Sequence, residues 1–176
     1  QAVQPGPDEG DVSMYSIRLE GETQALLRKL RSFSELVRKK INAALGAGVR
    51  ESTLERFKRS QGPDGRRWRS SIRAAAGGGK TLIDSARLRN SIRVHSDASG
   101  FAVGTNVKYA ATHQFGEPGR TIRANRKKAL RFQVDGRWIS KKQVHITIPA
   151  RPFLGLSDED MQEIKATTEE FIQKET

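Results

Sequence analysis

The chain has no cysteine. That absence excludes a disulfide framework, a thiolate zinc site, an iron–sulfur cluster and a cysteine nucleophile. Aromatic residues are only 6% of the 176 residues, and no paired ring platform of the kind RNA-recognition sheets use can be found among them. No stretch approaches the roughly 20 apolar residues that a membrane-spanning helix needs. The three histidines, His95, His113 and His145, stand apart, with none at metal-ligand spacing from another. No Gly-x-Ser-x-Gly nucleophile elbow occurs.

What is abundant is positive charge. Lys and Arg number 32 against 20 Asp and Glu, a formal net charge of +12, and the isoelectric point is near 10.5. With 35% apolar residues and a mean hydropathy of −0.65, the chain can build one modest core, which suits a single domain. Residues 1–13, rich in Pro, Gly and Asp, carry neither a signal-peptide nor a lipidation pattern and read as a disordered arm or an expression remnant. Ordinary patterning begins at Met14, so the expected domain is 14–176.

From Glu22 to about Ser60, apolar residues recur at helical spacing through Leu30, Leu36, Ile41, Leu45 and Phe57. Ser34 is placed to cap a helix starting at Glu35, and Gly46 and Gly48 would bend it or admit a close neighbour. Its other face is basic: Lys39, Lys40, Arg50 and Arg56 are among ten cations there. Gln61–Arg67 reads as a loop leading to an aromatic anchor, Trp68.

Gly77-Gly78-Gly79-Lys80-Thr81 mimics the end of a phosphate-binding loop. The loop's first glycine would fall at Ala74, and no apolar strand precedes it. The segment is therefore expected to be a mobile linker near 74–80, with no nucleotide and no other cofactor implied.

Beyond Thr81 the period shifts. Asp84–Ser91 predicts a short helical turn, and Ile92–His95 with Gly100–Val107 predicts a β-hairpin. Tyr109–Phe115 reads as a short helix. Thr121–Val134 and Arg137–Ile148 predict a second hairpin turning at Asp135-Gly136, interrupted by an exposed basic excursion near 123–128. Ser157 caps a last helix, and residues 157–176 carry seven carboxylates against two lysines, a net −5. The fold class is α+β: helices at both ends on an antiparallel-rich sheet of two hairpins. Composition alone leaves the role of this basic domain open, including nonspecific nucleic-acid binding through phosphate contacts.

Five segments, in order, narrow it. Phe57 leads to Pro63–Trp68 (PDGRRW); Leu82–Ile92 (LIDSARLRNSI) follows, then Val103–Asn106 (VGTN), Tyr109–Gly116 (YAATHQFG) and Ile148–Gly155 (IPARPFLG). Together these resemble the phage virion morphogenesis family, the tail completion proteins of Mu-like and P2-like phages and prophages, over roughly Leu26 to Ile172. At Ala86 the family usually has glycine, so a turn requiring positive φ would be strained there.

The resemblance implies a structural protein of the phage neck, acting where the tail meets the head-side connector, with no enzymatic activity and no cofactor. It implies partners among other neck and tail proteins, a homo-oligomeric ring, and a location in the virion and, during assembly, in the host cytoplasm. Packaged DNA is a further partner of nonspecific kind, and no membrane is involved. Structural or interaction roles are expected for Trp68, Tyr109, His113, Phe115, Arg151 and Phe153. Among these, Phe153 is expected in the core and Arg151 on a carboxylate or carbonyl. The positive residues around Lys39, Lys40 and Arg50 are expected to meet an acidic face, such as Glu163–Glu170 of a neighbouring last helix.

Overall fold

The computed structural model describes residues 4–5, 15–16, 33–125, 128–134 and 136–174. Leu30 and the rest of the expected helical pattern before residue 33 lie outside the described residues, as does Asp135 of the second turn. A two-residue strand, β1 (Gln4–Pro5), pairs antiparallel with β2 (Tyr15–Ser16).

The long helix α1 spans Glu35–Arg59 without interruption. Its start follows from Ser34, whose hydroxyl accepts from the Val37 backbone N–H and so satisfies one of the first-turn donors. Ser60 ends it in the left-handed region at φ 54. Gly46 allows a close approach, not a bend. A Cβ there would lie 2.5 Å from Val94 Cγ1 and 3.3 Å from Phe101 Cβ, so the missing side chain lets a hairpin lie directly on the helix. That hairpin is β3 (Arg93–Ser96) with β4 (Phe101–Gly104), in the register Val94↔Val103. Asp97 closes it by accepting from the Ser99 and Gly100 backbone N–H groups.

Where the sequence suggests a mobile linker, the first half is a helix, α2 (Ile72–Gly77), capped by the Ser71 hydroxyl. Local capping chemistry outweighs the low apolar content of the segment. A single turn, α3 (Arg87–Asn90), precedes β3, and α4 (Ala110–Phe115) follows β4.

The second hairpin is a long ribbon. β5 (Glu117–Arg123) pairs with β8 (Gln143–Ile148), and β6 (Leu130–Val134) pairs with β7 (Arg137–Lys141). β5 ends at Arg123, the Ala124 N–H still donating to the Lys142 carbonyl at 3.0 Å, and β6 begins at Leu130, on either side of the expected basic excursion. The last helix, α5 (Asp158–Lys174), starts with a reciprocal cap: the Ser157 hydroxyl accepts from Asp160 N, and the Asp160 carboxylate accepts from Ser157 N.

Two apolar clusters hold these elements together. One joins Phe57, Trp68, Leu88, Ile92, Val107, Ala110, Phe153 and Leu154; the other packs Ile41, Leu45 and Val49 of α1 against Ile164 of α5. Val103 touches both. Neither cluster contains a residue of the long ribbon. Among the described residues, no helix is long and apolar enough to cross a membrane.

Candidate functional site

Phe57 and Phe153 are fully buried, each worth about 1.5–3 kcal/mol of transfer free energy. Around Phe57 the five motif segments converge. Its ring meets Phe153 at 5.2 Å and Trp68 edge-on at 5.6 Å. The Trp68 indole N–H donates to the Pro152 carbonyl at 2.9 Å, which ties the PDGRRW segment to the IPARPFLG segment.

The loop that delivers Trp68 is built for a reversal. Asp64 accepts from the Arg66 backbone N–H at 3.1 Å, Gly65 takes φ +74, and Trp68 N donates back to the Ser60 carbonyl at 2.8 Å. Gly155 lies against this loop, where a Cβ would come 2.8 Å from Pro63 Cγ.

Gln114 performs the second closure. Its side-chain oxygen accepts from Phe153 N at 2.9 Å and Leu154 N at 3.0 Å, and its amide donates to the Leu154 carbonyl at 2.9 Å. A short helix thereby acts as a strand-like partner for a chain segment that has none. Arg151 is buried and meets a carbonyl: its Nε donates to Arg69 O at 2.8 Å, while its backbone N–H donates to His113 O at 2.7 Å. Burial, and then the nearby Arg69 charge, lower its pKa.

His113 is half-buried, with Nδ1 enclosed and without a hydrogen-bond partner among the described residues. Burial, reinforced by the Arg151 charge, pushes its pKa below the ordinary histidine value, so the neutral ring is favoured. Tyr109 packs edge-on against it at 5.8 Å. Tyr109 and Phe115, at the two ends of α4, are 42% and 50% exposed. The short helix therefore turns Ala110 and Gln114 inward and offers two rings outward.

The structure thus brings Trp68, His113, Arg151 and Phe153 into one junction, sets Tyr109 and Phe115 at its rim, and leaves Lys39 and Lys40 apart, exposed near the start of α1. Two members of the supposed basic face are turned inward. Arg50 donates to the Ile92 carbonyl at 3.0 Å. Arg56 is only 4% exposed and donates to Asp160 of α5 and, in the segment before that helix, to Gly155 O at 2.7 Å and Phe153 O at 3.2 Å. Helical periodicity places Arg56 one position from Phe57, and that alone does not reveal that a carboxylate from the far end of the chain awaits it.

The glycine-rich segment is occupied by local bonds. Lys80 Nζ donates to the Lys58 carbonyl at 3.0 Å, and the buried Thr81 hydroxyl accepts from Ser71 N at 3.3 Å. A recess of about 260 Å³ walled by Arg50, Lys58, Arg89 and Asn90 over Leu54 is below the usual size of a ligand pocket. Among the described residues, no group of three His, Asp or Glu is placed to hold a metal ion.

The residues that converge at Phe57 pack into one junction. The profile of the phage virion morphogenesis family matches residues 18–173; the chain belongs to that family. It is 32% identical over 95 residues to the Mu-like prophage FluMu G protein 2 of Haemophilus influenzae, a match covering 54% of this chain and 54% of that protein. The match spans about half the length of that relative. No solved structure matches.

Proposed function

We propose that this chain completes the phage tail and supports its joining to the head, as a non-enzymatic homo-oligomer, in ring form, among other neck and tail proteins of the virion. Assembly would take place in the host cytoplasm. The observation that carries the reading is the convergence at Phe57 of all the segments by which the sequence resembles tail completion proteins. Those segments are used to build a rigid body and are not arranged around a substrate cavity, which is what an assembly subunit requires.

Particles lacking this protein test the reading. Loose heads and separate tails are the expected products by electron microscopy; intact, infectious virions reject it.

A second reading, nonspecific DNA binding, is favoured by the exposure of Lys39 and Lys40 and by the charge of +12. Assembly accounts for the same residues, since Glu169 and Glu170 are exposed on α5 and can serve a neighbouring copy. Reversing Lys39 and Lys40 to Glu is expected to dissolve oligomers in sedimentation velocity, and Glu169→Lys with Glu170→Lys to restore them partly. Unchanged oligomers with lost, salt-sensitive DNA retention would favour the DNA reading.

A further inference from the structure

The ribbon formed by β5–β8 and β6–β7 has no share in either apolar cluster, yet each of its two strand pairs carries apolar residues. In the outer pair Ile122 stands opposite Val144, and Ile146 and Ile148 follow at alternate positions of β8. In the inner pair Phe132 stands opposite Ile139. Cross-strand partners share a face, so Ile122 with Val144 and Phe132 with Ile139 form an apolar patch on each pair, continued in the outer pair by Ile146 and Ile148 opposite Arg120 and Glu117, and these apolar side chains are only half-buried or exposed. An isolated two-stranded ribbon is marginal in water. Something must cover it.

The remaining surface indicates what. Between Glu117 and Ile148 the described residues hold seven Lys or Arg against one carboxylate, a net +6. Trp138 is 66% exposed, with the Arg131 guanidinium 5.4 Å from its ring centre. Exposed Trp and Arg are the residue types that anchor protein interfaces. The repulsion between two ribbons of +6 argues against ribbon packing on ribbon, and DNA phosphates would leave the apolar side wet. An acidic protein surface satisfies both demands, and the chain has one: Asp158, Glu159 and Glu163 are all exposed on the first turns of α5.

We propose that the ribbon is an assembly arm that docks on the first half of α5 in a second copy of this chain. The contact is head-to-tail, since arm and acceptor are different surfaces, and such contacts close into rings when the rotation permits. The inference rests on the homo-oligomer proposed above and gives it an interface. It differs from the Lys39 and Lys40 contact, which takes Glu169 and Glu170 near the other end of α5; Glu163, the first residue of the Glu163–Glu170 stretch, is assigned to the arm.

The absence of native cysteine makes the test direct. Ser140→Cys in the arm and Glu159→Cys in α5 are introduced into separate proteins, mixed and oxidised; a cross-linked heterodimer exceeding either homodimer is expected. Reversal of Arg131, Arg137 and Lys141 to Glu should weaken self-association by about tenfold or more, and Glu159→Lys with Glu163→Lys should recover part of it. The urea midpoint measured at dilution where both proteins are monomeric should stay unchanged, because none of the three arm residues lies in a core cluster. Wild-type protein that remains monomeric at its highest soluble concentration overturns both the oligomer and the arm. Wild-type oligomers that ignore the reversal, or fail to cross-link, overturn the arm alone, as does a reversal that abolishes only retention of DNA.

Discussion

Arg56 of α1 and Asp160 of α5 form an ion pair whose side chains are 4% and 5% exposed, linking residues 104 apart in sequence. Burial pushes the Asp160 carboxyl up, but hydrogen bonds from the Ser157 N–H and the Ser52 hydroxyl, and then the Arg56 charge, outweigh it and hold it below the ordinary aspartate value. Asp160→Asn should cost about 3–5 kcal/mol in urea melts, because it leaves the Arg56 guanidinium buried without a countercharge.

The same pair sets an acid limit. A carboxyl whose folded pKa is depressed contributes stability above its unfolded value of about 3.9, and that contribution is lost as pH falls through the folded value. Stability measured from pH 6 downward is expected to drop below about pH 4 in the wild type. The portion of that drop due to Asp160 should be missing in Asp160→Asn.

Gln114→Leu keeps the volume of the side chain and removes three hydrogen bonds to the Phe153–Leu154 backbone. Two buried donors and one acceptor would be left unpaired, so a loss of about 3 kcal/mol or more is expected. Hydrogen exchange should rise first at the amides of Phe153 and Leu154. A loss confined to global unfolding, with no local change at those amides, would place the role of Gln114 elsewhere.

Phe153→Ala should cost about 3–5 kcal/mol, since the side chain is fully enclosed and its ring faces Phe57. Urea unfolding measures it. A loss below about 1 kcal/mol would mean that the junction collapses around the missing ring.

Ala86 has φ 58 and ψ 8, a left-handed conformation in which its Cβ is strained, just ahead of α3. The local cost of such a conformation is about 1–2 kcal/mol for an L-residue. Ala86→Gly is expected to be neutral or to raise stability by up to about 1 kcal/mol, the gain being trimmed by the greater freedom of glycine in the unfolded chain. A clear loss would show that the alanine methyl packs better than its backbone suffers.

Local signals were legible wherever the information lies within one turn of chain. Ser34 and Ser157 mark their helix starts because a hydroxyl needs only a backbone donor two or three residues on. Gly46 allows either a bend or a close approach in sequence, and only the packing of Val94 and Phe101 decides for the second; the strained turn at Ala86 is signalled by the glycine that the family usually has there. Both hairpins followed from alternation and turn residues. The α2 helix has no strong local signal, because its alanines carry almost no apolar pattern and Ser71, which caps it, lies outside the glycine-rich run.

The sequence by itself determined most of the elements, though not α2, together with the excess of positive charge, its opposite sign in the last helix, and the ordered motifs of the family. Only the tertiary structure decided what those motifs do. Trp68 joins Pro152, Gln114 joins Leu154 and Arg56 joins Asp160 across separations of 84, 40 and 104 residues. Pairings of that range depend on how α1, the first hairpin and α5 stack, which no local period encodes. The same stacking turned Arg56 from a surface cation into a buried one and left apolar residues of the long ribbon outside both core clusters, because burial is a property of the whole packing and helical phase specifies only direction.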